Sequence, residues 1–220
     1  MEAIGRVLSA CALLLAVSGP AHAQEADVGL VQQLAGEVSY SSASGSGRAR
    51  VFMKMRQGDR FKLAAGAQVR VAYFRNGRQE TWRGPANFRS GIERSDALSG
   101  TVYQVASLPL DVPQKIQKIP ELIQMAKLGG VQVRGLKPRR QPNPEQQAAV
   151  AAARATYADL RQRLAQDDIT PELYLFTALQ DQLLYDEMRT VVDEMLRRQP
   201  GNPEAQQLAE WVRARSQASN

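Results

Sequence analysis

The stretch QVRVAYFRNGRQETWRGP, residues 68–85, decides the fold of the first half of the chain. Val69, Val71 and Tyr73 alternate with Gln68, Arg70 and Ala72. A period of two marks a strand with one face buried. Asn76-Gly77 follows, the strongest short-range hairpin signal, because the favoured turn needs positive φ at its central positions. Thr81 and Trp82 fall on the returning strand, and Gly84-Pro85 ends it, since proline cannot donate to an interior ladder. Successive strand residues point to opposite faces, so Arg78, Glu80 and Trp82 share one face and Gln79, Thr81 and Arg83 the other. That first face has two readings. In one, Trp82 fills the β core, as large aromatic side chains do, and the charged pair rims it. In the other, an aromatic plate beside a carboxylate and an arginine presents a surface suited to sugar. Arg78, Glu80 and Trp82 are therefore the candidate ligand-binding surface.

The same alternation extends on both sides. Val28, Leu30 and Leu34 precede Gly36, and Val38 and Tyr40 follow it. Residues 42–50, SASGSGRAR, read as a flexible polar loop. Val51, Met53 and Met55 alternate with Phe52, Lys54 and Arg56 and predict a strand, then Gln57-Gly58-Asp59 turns the chain. Phe61 and Leu63 alternate with Arg60 and Lys62 before a second turn at Ala65-Gly66. These patterns predict half-buried strands. Residues 86–89 with Gly91 and Ile92 suggest another strand, and residues 101–105 close the sheet. Beyond them, Ile116, Ile119, Leu122, Ile123 and Ala126 have helical spacing. Pro120 interrupts that run, so a short turn precedes a helix that starts near Pro120. Gly129-Gly130 stops the helix, and residues 131–135 add one more strand.

The composition changes near residue 138. From Asn143 onward Ala, Gln, Leu, Glu and Arg dominate, and glycine occurs once, at Gly201. Pro138, Pro142 and Pro144 make the junction a stiff, extended linker, because proline supplies no ladder or helix donor. Arg139-Arg140 within it is either a contact for anionic lipid or part of a solvated linker. Asn143 and Pro144 open a helix that runs to about Gln166. Thr170-Pro171-Glu172 starts another, with Leu173, Phe176, Leu179, Leu183 and Leu184 as its stripe. Met188, Val191, Val192, Met195 and Leu196 form the next stripe. Pro200-Gly201-Asn202-Pro203-Glu204 restarts the chain, and Leu208, Trp211 and Val212 line a last helix. Short connections between such helices make them antiparallel neighbours.

The N-terminus reads as a targeting segment. One arginine, Arg6, precedes the apolar run VLSACALLLAVSG, which is too short to span a bilayer comfortably. Ala21-His22-Ala23 supplies the small residues at which a signal peptidase cuts, so the mature chain is expected to start at Gln24. Leu8-Ser9-Ala10-Cys11 has the form of a lipobox, but the apolar run continues past Cys11 instead of ending there. The chain is thus expected to be exported to the periplasm. Cys11 and His22 are the one cysteine and the one histidine of the sequence. Their removal excludes disulfides, zinc sites built on Cys or His, and Ser-His-Asp or Cys-His catalysis. No cofactor and no metal site is expected. The net charge of +6 is either a bias towards anionic partners or ordinary solubility charge. Nucleic acid is not expected as a partner, because an exported chain without an aromatic-basic groove pattern does not fit one. No second apolar run is long enough to cross a membrane.

The remaining candidates for chemistry are carboxylates. Glu37 and Asp59 both lie in turns, and paired acids hydrolyse glycosides. Asp59, after Gly58, instead suits a hydrogen bond to its own backbone. Asp167-Asp168 and Asp186-Glu187 read as helix-end and surface charges.

The first half resembles the FecR domain family of exported bacterial proteins. The residues that carry the resemblance are Leu34-Ala35-Gly36-Glu37-Val38, Gln57-Gly58-Asp59-Arg60-Phe61, Ala65-Gly66-Ala67-Gln68-Val69-Arg70-Val71, Phe74-Arg75-Asn76-Gly77 and the closing Gly84-Pro85. It covers about residues 28–93. The resemblance implies an all-β module, sandwich-like or solenoid-like, that contacts a protein or a cell-wall component. The best-known members are membrane-spanning sigma-factor regulators of iron uptake. This chain shows no internal membrane helix and no anti-sigma segment ahead of the module, so that role is not carried over. The second half looks like a tetratricopeptide-type helical pair. Leu179, Met188, Val192 and Met195 precede the join Pro200-Gly201-Asn202-Pro203-Glu204-Ala205, although Phe176 and Met188 replace the small residues such repeats use. A small helical bundle is the other reading.

The expected plan is an α+β, multidomain chain: a signal segment at 1–23, a FecR-like β domain at 28–105, a bridging helix and Pro-rich linker at 106–142, and a tetratricopeptide-like helical domain at 143–216. The expected function is that of a non-enzymatic envelope protein. Its β module contacts a protein or cell-wall glycan, and its helical module contacts a second protein. The alternative is a carbohydrate-binding or glycan-cleaving protein using Glu80, Glu37 or Asp59.

Overall fold

The computed structural model describes residues 26–128 and 143–218. The signal segment with Cys11 and His22, Gly129-Gly130, the strand expected at 131–135 and linker residues 137–142 with Arg139-Arg140 lie outside the described residues.

Among the described residues ten strands form two antiparallel sheets of five. The first contains β1 (Asp27–Ala35), β4 (Lys54–Arg56), β6 (Gln68–Tyr73), β7 (Arg78–Arg83) and β10 (Val102–Ser107), in the order β10-β7-β6-β1-β4. The second contains β2 (Val38–Ser42), β3 (Gly45–Arg48), β5 (Arg60–Leu63), β8 (Ala86–Ser90) and β9 (Ser95–Ser99), in the order β3-β2-β5-β8-β9. Gly36, at φ +74, turns the chain from one sheet to the other. A Cβ there would lie 3.0 Å from Ala67 Cα. The sheets meet through an aromatic stack. The Trp82 ring of β7 lies 4.8 Å from Phe88 of β8, and Phe88 lies 5.0 Å from Phe61 of β5. Val31, Val69, Val71, Met55 and Leu63 fill the rest of this core.

The hairpin forms as its sequence predicts. Val69 faces Trp82 and Val71 faces Glu80 across the β6–β7 ladder. Gly77 takes φ +68, and its carbonyl accepts a hydrogen bond from Leu108 N at 2.8 Å. A Cβ at Gly77 would stand 2.3 Å from the Leu108 carbonyl oxygen, so only glycine permits this approach.

Three local expectations are corrected. Residues 42–50 are not all loop, because β3 pairs with β2 from Ser39–Arg48 to Ser42–Gly45. Residues 51–53 are not strand: Phe52 adopts φ +62 and buries its ring, and β4 begins only at Lys54. Gly91 and Ile92 lie in a turn, and the strand that follows is β9, which carries no alternating apolar pattern.

Six helices complete the described residues: α1 (Asp111–Ile116), α2 (Ile119–Lys127), α3 (Pro144–Arg163), α4 (Thr170–Asp181), α5 (Tyr185–Arg198) and α6 (Pro203–Ala218). Asn143 and Gln146 close a capping box on α3: Asn143 Oδ1 accepts from Gln146 N at 2.8 Å, and Gln146 Oε1 accepts from Asn143 N at 3.0 Å. Asn202 caps α6 by accepting from the backbone N–H of Glu204 and Ala205. Residues 170–179 of α4 are buried on every side, so α4 is a central helix rather than a one-striped surface helix. It ends at Asp181, and Leu183, expected within the stripe, turns the chain at φ +58.

The helices cover the outer face of the first sheet. Leu30 and Ala72 on that face, with Phe52 and Leu108, share one apolar cluster with Val112, Ile116, Leu173 and Phe176. The central strands are therefore buried on both faces rather than half-buried. The layers are sheet, sheet and helix, joined through one shared core. No helix among the described residues is long and apolar enough to cross a membrane.

One tryptophan lies in each region, Trp82 in the sandwich and Trp211 in α6. A shared core predicts one cooperative unfolding transition. The Trp82→Phe and Trp211→Phe variants, each leaving a single fluorescent reporter, are expected to give coincident urea midpoints when each is compared with its own far-UV circular dichroism. Separated midpoints within one variant would show that the layers unfold independently.

Candidate functional site

The face that carries Arg78, Glu80 and Trp82 points into the sandwich. Trp82 is 2% exposed and Glu80 1%, so neither forms a surface. Only Arg78 reaches solvent, at 33% of its side chain. The expectation of a surface ligand site on these three residues is corrected on that ground: the aromatic ring is spent on Phe88, and the carboxylate is spent on its neighbours. Glu80 Oε1 accepts from Arg78 Nε at 2.5 Å, and Glu80 Oε2 accepts from the Trp82 indole N–H at 3.1 Å. Both oxygens also lie within 3.4 Å of the Ser95 backbone N–H. A carboxylate is costly to bury unless its lone pairs are satisfied, and here they are. Because Ser95 belongs to β9, Glu80 ties the first sheet to the second. Tyr73 reinforces the tie, with its hydroxyl 2.7 Å from Ser95 Oγ. Burial raises the Tyr73 phenol above its ordinary pKa, so it stays protonated.

The other candidate acids do not converge with it. Glu37 is exposed beside the Leu63 end of β5, where its carbonyl accepts from Ala64 N. Asp59 lies at the opposite end of the same strand, and its Oδ2 accepts from Arg56 N at 2.8 Å, the local turn bond expected of it. Among the described residues no group of three or more metal-ligating side chains is placed to hold an ion.

The structure instead gathers polar side chains where the sequence predicts only strand and helix-end positions. Gln32 of β1 and Gln79 of β7 project from the outer face of the first sheet and meet the turn between α3 and α4. Gln79 Nε2 donates to Gln32 Oε1 at 2.9 Å and to Asp168 Oδ2 at 2.9 Å. Gln32 Nε2 donates to Thr170 Oγ1 at 2.8 Å. Asp168 Oδ1 accepts from both the backbone N–H and the hydroxyl of Thr170, at 2.9 and 2.6 Å. Arg70, with 7% of its side chain exposed, stands 3.6 Å from Asp168 and 3.7 Å from Asp167. Asp168 is only 2% exposed, so the expectation of surface charge at Asp167-Asp168 is corrected for this residue. One layer further out, buried Glu172 pairs with Arg161 at 2.9 Å and Arg198 at 3.2 Å and accepts from the Tyr157 hydroxyl. A cavity of about 30 Å³ beside Arg70, Gln79, Gln104 and Arg163 has room for water and not for a substrate.

Charge placement shifts several groups. Burial alone pushes the Asp167 carboxyl up, but the Gln33 hydrogen bond and Arg70 outweigh it and hold the group below its ordinary value. Asp181 behaves alike: burial raises it, and Lys115 and Lys118 at 2.6 and 3.1 Å more than reverse that. Burial and then Asp111 push Tyr174 up to about 12. These groups brace α1 and the α3–α4 turn. They do not assemble a nucleophile with a base.

Compared with known protein families, with curated proteins and with solved structures, the chain matches none. What it does must therefore be argued from its own surfaces and buried groups.

Removing Asp168 takes the acceptor from Gln79 and Thr170 and leaves Arg70 only the half-exposed Asp167, so Asp168→Ala is expected to cost about 3–5 kcal/mol in urea unfolding. Asp96→Ala, which breaks the exposed Arg89–Asp96 pair, is expected to cost less than about 1 kcal/mol in the same assay. The pH dependence follows from the depressed Asp167 and Asp181. Their folded carboxyls hold protons more weakly than the unfolded chain does. That stability is complete above the unfolded value, roughly pH 4, and is lost as pH falls through the folded values. The melting temperature should hold from neutral pH to about pH 5 and fall below about pH 4, with Asp181→Asn giving a shallower acid limb.

Proposed function

We propose that this chain is a non-catalytic scaffold of the bacterial cell envelope, exported to the periplasm, with a FecR-like β module and a tetratricopeptide-like helical layer. The β module contacts a protein or cell-wall partner, and the helical layer contacts a second protein. The observation that carries the reading is the shared core and buried polar network between sheet and helices. A body locked in that way holds its outer faces at fixed relative positions, which is what a bridging protein needs. The likeness of residues 28–93 to the FecR family and of the join at residues 200–205 to tetratricopeptide repeats supports the same assignment.

The recognition surfaces lie outside the core. β10 is an edge strand of the first sheet, and it displays Tyr103 and Val105 to solvent. Its outer edge pairs with no other strand among the described residues, and such an edge suits a partner that adds an extended segment by main-chain hydrogen bonds. On the helical side α2 presents Met125. The glycan-cleaving alternative needs two carboxylates facing a substrate across an open site. Glu80 is enclosed, and Glu37 and Asp59 occupy opposite ends of β5, so no observation favours it.

The chain from Gln24 onward, immobilised and exposed to envelope extracts, is expected to retain a defined envelope protein or to sediment with purified cell-wall sacculi. Retention of neither would count against the scaffold reading. Release of soluble fragments from sacculi by the purified chain would replace it with the enzymatic one.

A further inference from the structure

The outer face of the second sheet is the broad sheet face that neither the sandwich core nor the helices cover. Ladder register fixes what it displays. Arg60 stands directly opposite Arg89, and Lys62 directly opposite Asn87. On the far side of β2, Arg48 stands opposite Ser39, which in turn faces Lys62. All four cations are exposed, and the one acid in these two cross-strand rows is Asp96, paired with Arg89 at 3.1 Å. The remaining positions of these two rows are filled by Ser39, Ser41, Asn87 and further serines, and the exposed apolar side chain of the sheet, Leu98 on the edge strand β9, lies outside them.

This arrangement carries a cost in the free protein. Like charges directly opposite one another in a ladder are destabilising. Charge across the whole chain is also unevenly divided. Residues 26–107 hold twelve Lys and Arg against six Asp and Glu, whereas residues 143–220 hold eight against twelve. Residues 108–142 add seven against two, so the positive excess lies in the β part and the segment that follows it. Within the β part, an anion laid across Arg60 and Arg89 would relieve the repulsion between them.

We propose that this face binds a linear acidic polysaccharide, with Arg48, Arg60, Lys62 and Arg89 taking its anionic groups and the intervening serine and asparagine side chains its hydroxyls. The chemistry of the face selects this partner. A membrane-docking face carries apolar side chains that enter the lipid boundary, and these rows have none. Single-stranded nucleic acid is held by aromatic rings on which bases stack, and no ring lies in these rows. The centre of a protein interface is depleted in charge, and this centre is charged. A flat, hydroxyl-rich and cationic surface complements a chain of sugars that bears an anion at regular intervals.

The inference rests on the binding-protein reading above and names the chemistry of one of its partners. The chain from Gln24 onward is titrated with polygalacturonate, with neutral dextran, and with vesicles of phosphatidylcholine and phosphatidylglycerol in equal parts. Saturable binding to polygalacturonate that weakens with added salt is expected, with no binding to dextran and weaker association with vesicles. Arg60→Glu combined with Lys62→Glu should weaken polygalacturonate binding about tenfold. The double variant should melt no lower than the parent, because R60E sets a carboxylate opposite Arg89. A fold defect is thereby separated from a binding defect. Arg75→Glu, on the hairpin turn outside these rows, should bind like the parent. The proposal is overturned by absent binding, by equal binding to dextran, by tighter binding to vesicles, or by an unchanged affinity of the double variant. If the chain retains an envelope protein but no acidic polysaccharide, this inference falls and the scaffold reading stands.

Discussion

The carboxylate of Asp168 holds the two halves of the molecule together. It sits at the foot of the α3–α4 turn and accepts hydrogen bonds from Gln79, which belongs to a strand, and from Thr170, which begins the central helix. Gln32 and Arg70 complete the arrangement from the sheet side. Each of these groups is nearly removed from water, so each needs a partner, and the partners stand on opposite layers. Apolar contact between Leu30, Ala72 and the helices would tolerate some sliding. The directional bonds to Asp168 do not, and they set where α4 lies across the sheet.

A second buried acid does comparable work inside the sandwich. Glu80 links Arg78, Trp82 and the backbone of Ser95, and so joins an inner strand of one sheet to the edge strand of the other. Its bond to the indole N–H also fixes the ring that stacks on Phe88. Glu172 and its two arginines play the same part within the helical layer, where they join α3, α4 and α5. Glu80, which looked available for chemistry, is thus engaged in architecture. The exterior of the second sheet turns a cationic, hydroxyl-rich face to solvent.

Much of the fold was legible in short-range patterns. The β6–β7 hairpin followed from Asn76-Gly77 and from the alternation of Val69, Val71 and Tyr73, because turn chemistry and strand period act over a few residues. Asn143 and Asn202 announced their helices for the same reason. The inward turn of Trp82 was one of two readings the strand left open, and the fate of Glu80 was not legible: alternation assigns it the face of Trp82 without saying that Ser95 arrives to satisfy it. β9 escaped notice because Ser95, Asp96 and Ser99 carry no hydrophobic period, and the strand exists by pairing with β8. Phe52 looked like a strand residue, and it needed a left-handed turn to reach the core beneath the helices.

By itself the sequence determined the passage from strands to helices, the β6–β7 hairpin with the faces of its residues, and the helix starts at Asn143 and Asn202. All of these follow from backbone sterics and from periodicities of two and 3.6 residues. The tertiary structure alone decided that Gln32, Arg70 and Gln79 are interior residues. A glutamine on the polar face of a strand reads as solvent-exposed until another layer covers it. Whether a helix does so depends on a carboxylate 89 positions further along the chain, which no local pattern reports.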